Sequence, residues 1–140
     1  MSNMNCKLQE LDLYGNNIGP DGAQHLAEAL CHSHCKLQTL NLNGKSIGPD
    51  GAKYLAEVGS YLRHSNCKLQ ELQLQGNNIG DDGAKYLAEA LCHSNCQLLE
   101  LWLKHNTIGD AAKYLAEALW HSNCKLQNGA EAFADMLRYD

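Results

Sequence analysis

The sequence predicts an α/β fold, a segment of a curved, right-handed horseshoe solenoid with a parallel sheet on the concave face and helices on the convex face. Three observations carry this expectation. A unit of about 29 residues returns along the chain. Its first half alternates leucines at period 2, as in a short strand, and its second half gathers apolar residues on one face of a helix. One such strand and helix cannot bury its own apolar face, whereas a stack of them forms a continuous core.

The repeat begins with Cys6-Lys7-Leu8-Gln9-Glu10-Leu11-Asp12-Leu13 and returns at Cys35-Lys36-Leu37, Cys67-Lys68-Leu69, Cys96-Gln97-Leu98 and, cut short, at Cys124-Lys125-Leu126. The leading leucines at 8, 37, 69, 98 and 126 are spaced by 29, 32, 29 and 28 residues. The long spacing comes from extra residues around Val58-Gly59-Ser60-Tyr61, and the short one from a residue lost before Ala111-Ala112. Residues 1–140 thus read as one domain, with repeats starting near 8, 37, 69 and 98 and a strandless remnant over 124–140.

The first strand is expected over Glu10 to Leu13, with Leu11 and Leu13 pointing inward, and its counterparts carry Leu40 and Leu42, Leu72 and Leu74, and Leu101 and Leu103. Asn16, Asn77 or Asn106 follows, then an Ile-Gly pair at 18, 47, 79 or 108. The first helix places Ala23, Leu26, Ala27 and Leu30 on one face. Aspartate at each helix start is expected to cap it, and Pro20 and Pro49 suit a first turn. At the other end, Asn128-Gly129-Ala130-Glu131-Ala132-Phe133 aligns with the helical half alone, so a terminal helix over 128–138 is expected to cover the end of the core.

The pattern L-x-x-L-x-L-x-x-N-x-I-G, read over 8–19, 69–80 and 98–109, resembles the leucine-rich repeats. The helical half G-A-x-x-L-A-E-A-L and the period are similar to the ribonuclease-inhibitor-like class and to the arrays of NOD-like receptors. The resemblance implies a non-enzymatic protein-interaction module without a cofactor. It also implies either innate-immune sensing or autoinhibition, or capture of a basic ribonuclease. Lys45 stands where the other units carry asparagine, whose side chain in this family bonds adjacent turns, so a gap in that ladder is expected.

With 44% hydrophobic and 19% charged residues the chain can bury a core, which excludes a disordered tail. A net charge of −5 and pI near 5.7 argue against a general nucleic-acid binder. No apolar run is long enough to span a bilayer, and the polar start Met1-Ser2-Asn3-Met4-Asn5 has no signal-like apolar region, so no membrane partner and a soluble, cytoplasmic protein are expected. Seven cysteines, an odd number, then read as reduced thiols: five lie at strand starts, and Cys31 and Cys92 form a second column that Arg63 and Trp120 interrupt.

Function is expected on the concave face, where the residues between the inward leucines project. These are Glu10, Asp12 and Tyr14; Thr39, Asn41 and Asn43; Glu71, Gln73 and Gln75; and Glu100, Trp102 and Lys104. The scaffold leucines hardly vary from unit to unit, while the columns Asp12-Asn41-Gln73-Trp102 and Tyr14-Asn43-Gln75-Lys104 do. Four acids against Lys104 leave a local charge of −3, which would steer a basic protein partner. Trp102 is the expected binding anchor, with Tyr14 and Lys104 extending the site. The Lys53-Tyr54, Lys85-Tyr86 and Lys113-Tyr114 column reads as a solvated helix flank.

Other chemistries find little purchase. Cys31-His32-Ser33-His34-Cys35 brings thiols and imidazoles together, but five consecutive residues cannot easily surround one zinc ion. The histidines at 32, 64, 93 and 121 recur at helix ends, where the dipole favours them. Glu71 and Glu100 are adjacent in one column, yet a shallow sheet supplies no catalytic pocket, and no nucleotide-binding or hydrolase motif occurs. The first strand has no evident cap before it, so either self-association through this edge or derivation from a longer array is expected.

Overall fold

The computed structural model describes residues 7–32, 35–44, 46–56 and 67–136. Cys6, His34, Lys45, the insertion around 58–61, Arg63, His64 and the final residues of the expected terminal helix lie outside them. Strands and helices alternate: β1 (Glu10–Asp12), α1 (Gly19–Leu30), β2 (Thr39–Asn41), α2 (Gly48–Ala56), β3 (Glu71–Gln73), α3 (Gly80–Leu91), β4 (Glu100–Trp102) and α4 (Ala112–Leu119), closed by α5 (Gly129–Met136). The four strands form one parallel sheet in the order β1-β2-β3-β4, each strand following its predecessor in space as in sequence. This is the expected α/β repeat solenoid.

Leucine patterning fixes the sheet. Leu11, Leu40, Leu72 and Leu101 pair in register across all four strands and point into the core. The middle and last of these are 0–1% exposed, as are Leu74 and Leu103, and each side chain so buried contributes about 1.5–3 kcal/mol of transfer free energy. Leu11 and Leu13 are only half-buried because nothing among the described residues stacks on their far side. The helices turn alanine toward the sheet: Ala23, Ala27, Ala52, Ala56 and Ala84 are fully buried, and these small side chains let neighbouring helices approach closely.

A ladder of buried asparagines joins the turns. Asn106 Oδ1 accepts from the backbone N–H of Asn77 (2.9 Å) and Ile79 (3.2 Å), while its Nδ2 donates to the carbonyls of Leu74 (2.7 Å) and Leu103 (2.9 Å). Asn77 repeats this one turn earlier, accepting from Ile47 N (3.2 Å) and donating to Leu42 O (2.8 Å). Between the first two repeats the pattern differs. Ile18 N donates to Asn16 O (2.9 Å) within its own turn, and Gly19 N donates to Ser46 Oγ (3.2 Å). These bonds satisfy the first turn without a side-chain amide at position 45.

Aspartate does not cap its own helix. Helices α1 and α3 begin at Gly19 and Gly80, no side chain caps the preceding isoleucine, and Asp21, Asp81 and Asp82 fall inside the first turn, where they favour the helix dipole. Asp81 instead reaches the following repeat, its Oδ1 accepting from Gly109 N (2.7 Å) and Ala111 N (3.2 Å). The residue lost from this fourth unit delays helix α4 to Ala112. Pro20 does occupy the first turn of α1, as expected.

The terminal remnant differs from a repeat in a second way. By alignment Ala130 and Ala134 correspond to the buried Ala23 and Ala27, yet both are exposed, and Ala132 is buried at 3% instead. With no strand before it, α5 starts directly at the sheet edge and packs on both β4 and α4 instead of extending the outer row of helices. It still covers the end of the core.

Candidate functional site

The concave face is built from three registered columns. Glu10, Thr39, Glu71 and Glu100 align in the first, and Asp12, Asn41, Gln73 and Trp102 in the second. The third, Tyr14, Asn43, Gln75 and Lys104, lies just past the strand ends. There the ladder continues through Gly15 N to Asn43 O (3.0 Å), Gly44 N to Gln75 O (3.0 Å) and Gly76 N to Lys104 O (2.9 Å). Backbone crowding in this turn is severe: Gly76 has φ 70°, and a Cβ there would lie 2.8 Å from Gly44 O. Glycine at 76 lets the third turn stack on the second.

The centre of the face is tied into one network. Asn43 Nδ2 donates to Gln73 Oε1 (3.1 Å) and Gln75 Oε1 (3.2 Å), its Oδ1 accepts from Gln75 N (2.7 Å), and its own N–H donates to Asn41 Oδ1 (2.9 Å). Gln73 Nε2 donates in turn to Glu71 Oε2 (3.1 Å). Asn41, Asn43, Glu71, Gln73 and Gln75 thus come together as a preorganised polar patch. Asp12 folds back to accept from Tyr14 N (2.9 Å), and Glu10, Asp12 and Tyr14 are exposed at the β1 side.

The aromatics are not neighbours. Tyr14 belongs to the first turn and Lys104 to the fourth, three strand steps or about 14 Å apart. Tyr14 is 68% exposed, whereas Trp102 is half-buried and its indole Nε1 is buried without an acceptor among the described residues. Among the described residues the large aromatic that stands farthest into solvent is Trp120, at 90% exposure on the convex side, where the first and third repeats carry Cys31 and Cys92.

A second groove, of about 430 Å³, runs along the strand starts and is lined by Lys7, Gln9, Lys36, Gln38, Lys68 and Gln70. Its signal in the sequence is the lysine of the recurring Cys-Lys-Leu triplet, which lies between the cysteine and leucine columns. On the convex side the Lys-Tyr column links successive repeats: Lys53 Nζ lies 5.4 Å from the Tyr86 ring centre, and Lys85 Nζ 5.5 Å from that of Tyr114. Such cation–π contacts stabilise the stack.

Four of the thiols are held protonated. Burial, reinforced by Cys67 and Cys35 nearby, pushes Cys31 up to about 11, and burial raises Cys67, Cys92 and Cys96 above the usual 9.0. Thiolate is the nucleophile and the metal ligand, and among the described residues no three His, Cys, Asp or Glu side chains converge on one point. Two of the helix-end histidines also close the turn that follows: His93 Nδ1 accepts from Asn95 N, and His121 Nδ1 from Asn123 N, both at 3.1 Å.

A sequence profile described as "Leucine Rich repeat" matches residues 5–27, 33–56 and 65–88, together half of the chain. The chain is a leucine-rich-repeat protein. No curated protein matches it. Among solved structures, the leucine-rich-repeat chain is similar to "Leiomodin-1 Actin-Binding Site 2 (ABS2)", with a TM-score of 0.67 and 18% identity over 96% of this chain and 81% of that one. At that identity the likeness is one of fold. No helix among the described residues of the leucine-rich-repeat protein is long and apolar enough to cross a membrane.

Proposed function

We propose that the protein is a non-enzymatic interaction module whose concave sheet binds a basic protein partner. The observation that carries this reading is the acid-bearing columns in register, with Glu10, Glu71 and Glu100 in one row and Asp12 beside them, on a face whose central amides are already fixed by mutual hydrogen bonds. Preorganised polar groups lose little entropy on binding, and a row of like charge accelerates encounter with an opposite one. Tyr14 and Lys104 bound the patch on either side, and Trp102 supplies apolar area at the β4 end. Leucine-rich repeats commonly serve as binding scaffolds, and the neighbour in fold carries "Actin-Binding Site" in its description. The resemblance to ribonuclease-inhibitor-like proteins favours capture of a basic enzyme, and that to NOD-like receptor arrays favours innate-immune recognition. The acidic row favours the former chemistry.

The test is titration against a basic ribonuclease and against an acidic protein of similar size, at low and physiological salt. Binding to the basic protein alone, with an association rate that falls at least tenfold in Glu71→Lys/Glu100→Lys, supports the reading. Equal binding to both proteins, or indifference to these substitutions and to Tyr14→Ala and Trp102→Ala, overturns it.

A further inference from the structure

Each of the first three repeats enters its strand through a lysine followed two residues later by a glutamine: Lys7 and Gln9, Lys36 and Gln38, Lys68 and Gln70. The parallel register extends to these positions, because Gln38 N donates to Gln9 O (2.8 Å) and Gln70 N to Gln38 O (2.8 Å). Equivalent residues therefore stand about 5 Å apart, one per strand. All six are exposed, and together they line the groove of about 430 Å³ at the strand starts, with Gln97 at its far end. Three positive charges are gathered there in a protein of net charge −5.

The middle of this row is the most positive. Strand β2 and the residues on either side carry no carboxylate, since Gln38, Thr39, Asn41 and Asn43 fill the positions facing out. Among the described residues neither Lys7 nor Lys36 forms an ion pair, and the side-chain amides of Gln9, Gln38 and Gln70 make no hydrogen bond. Gln73 and Gln75 differ, their amides being committed to the concave network. The row also has a defined end. Gln97 replaces the lysine in the fourth repeat, and Lys125 is tied back, its Nζ donating to Cys96 O (3.0 Å) and Ser94 O (3.4 Å).

We propose that this groove binds an acidic peptide segment in extended form, laid across the strands with its carboxylates on the lysine row. From Lys7 to Gln97 the groove spans three strand steps, about 14 Å, which an extended peptide covers in four or five residues. Carboxylates on alternate peptide residues recur at about 7 Å, and the flexible four-carbon arms of lysine absorb the difference from the strand spacing. The glutamine column selects a peptide over a polyphosphate. A primary amide offers a donor and an acceptor, as a peptide backbone requires, whereas phosphate oxygens only accept. Glu10 and Glu71 follow the glutamines directly and repel a broader polyanion. The groove lies apart from the acid columns and is occupied independently of the basic partner proposed for them.

Fluorescence anisotropy of the full chain with a labelled decapeptide of alternating glutamate and serine tests this. Binding is expected at about 0.05 M salt and is expected to weaken at least fivefold by about 0.5 M. Lys36→Gln/Lys68→Gln, at exposed positions, should weaken it about tenfold, and Lys125→Gln should leave it unchanged. Gln97→Lys fills the gap in the row and should tighten it about threefold. Glu71→Gln/Glu100→Gln, which removes acids needed for the basic partner, should not weaken it. Absence of binding to the wild-type chain at low salt overturns the proposal. So does indifference to both Lys36→Gln/Lys68→Gln and Gln97→Lys, or a loss in Lys125→Gln as large as in the double variant. A ten-nucleotide thymidine oligonucleotide bound as tightly as the decapeptide also overturns it, in favour of a general polyanion site.

Discussion

At the β4 end of the solenoid the sheet edge is closed by a side chain, whereas at the β1 end the corresponding peptide groups face outward. Gln127 N donates to Leu99 O (2.6 Å) in the place where each earlier repeat begins its strand. The amide of Asn128 then supplies the donor and acceptor that a fifth strand would have offered to Leu101. A primary amide carries the same N–H and C=O as a peptide, so one asparagine replaces a strand and lets α5 fold down at once. The β1 end has no such device among the described residues, and Leu8, Leu11 and Leu13 pay with exposure what Leu98, Leu101 and Leu103 bury. Repeat stacks need closure at their ends, and at the β4 end it takes eight helical residues and one polar side chain.

The largest break in this comparison is expected in the core. Leu101→Ala, at a residue 1% exposed, should lower stability by about 2–5 kcal/mol in urea denaturation, while Leu11→Ala should cost about 1 kcal/mol or less. Equal losses would show that the two ends are equally packed. Next comes the ladder. Asn106→Ala strips two buried N–H groups of their acceptor and should cost about 2–4 kcal/mol, against well under 1 kcal/mol for Asn16→Ala at the exposed end. Asn128→Ala should cost about 1–2 kcal/mol and, more tellingly, speed amide exchange at Leu101 to the rate of an edge residue.

The thiols give a smaller, pH-dependent effect. Their folded values lie above 9.0, so unfolded thiols ionise first, stability is fully present below about pH 9, and it falls as pH rises toward 11. Melting temperature against pH checks this: the alkaline slope should flatten in Cys67→Ala/Cys96→Ala, whose thiols are buried mid-stack. The smallest effect is a gain. Thr107 is β-branched yet held at φ 54°, where the third repeat has Asn78 at φ 55°. Thr107→Asn should therefore stabilise the protein by about 0.5–1 kcal/mol.

The leucine columns, the asparagine positions and the alternation of two periods determine the fold, because each repeat restates the same burial problem and stacking is its one solution. The concave columns were equally legible, since side-chain alternation along a strand follows from the pleat. What each column residue does was not. Asp81 caps the next repeat, Trp102 is half-buried while Trp120 stands in solvent, and α5 presents a face turned away from its aligned counterparts. Asn128 substitutes for a strand. The Asp81 and Asn128 bonds span 27–30 residues of chain, and local pattern carries no information on which neighbour a side chain will meet. Sequence by itself thus determined the repeating unit and its stacking. Only the tertiary structure decided how the stack ends, because an end is where a residue's environment ceases to be set by a copy of itself.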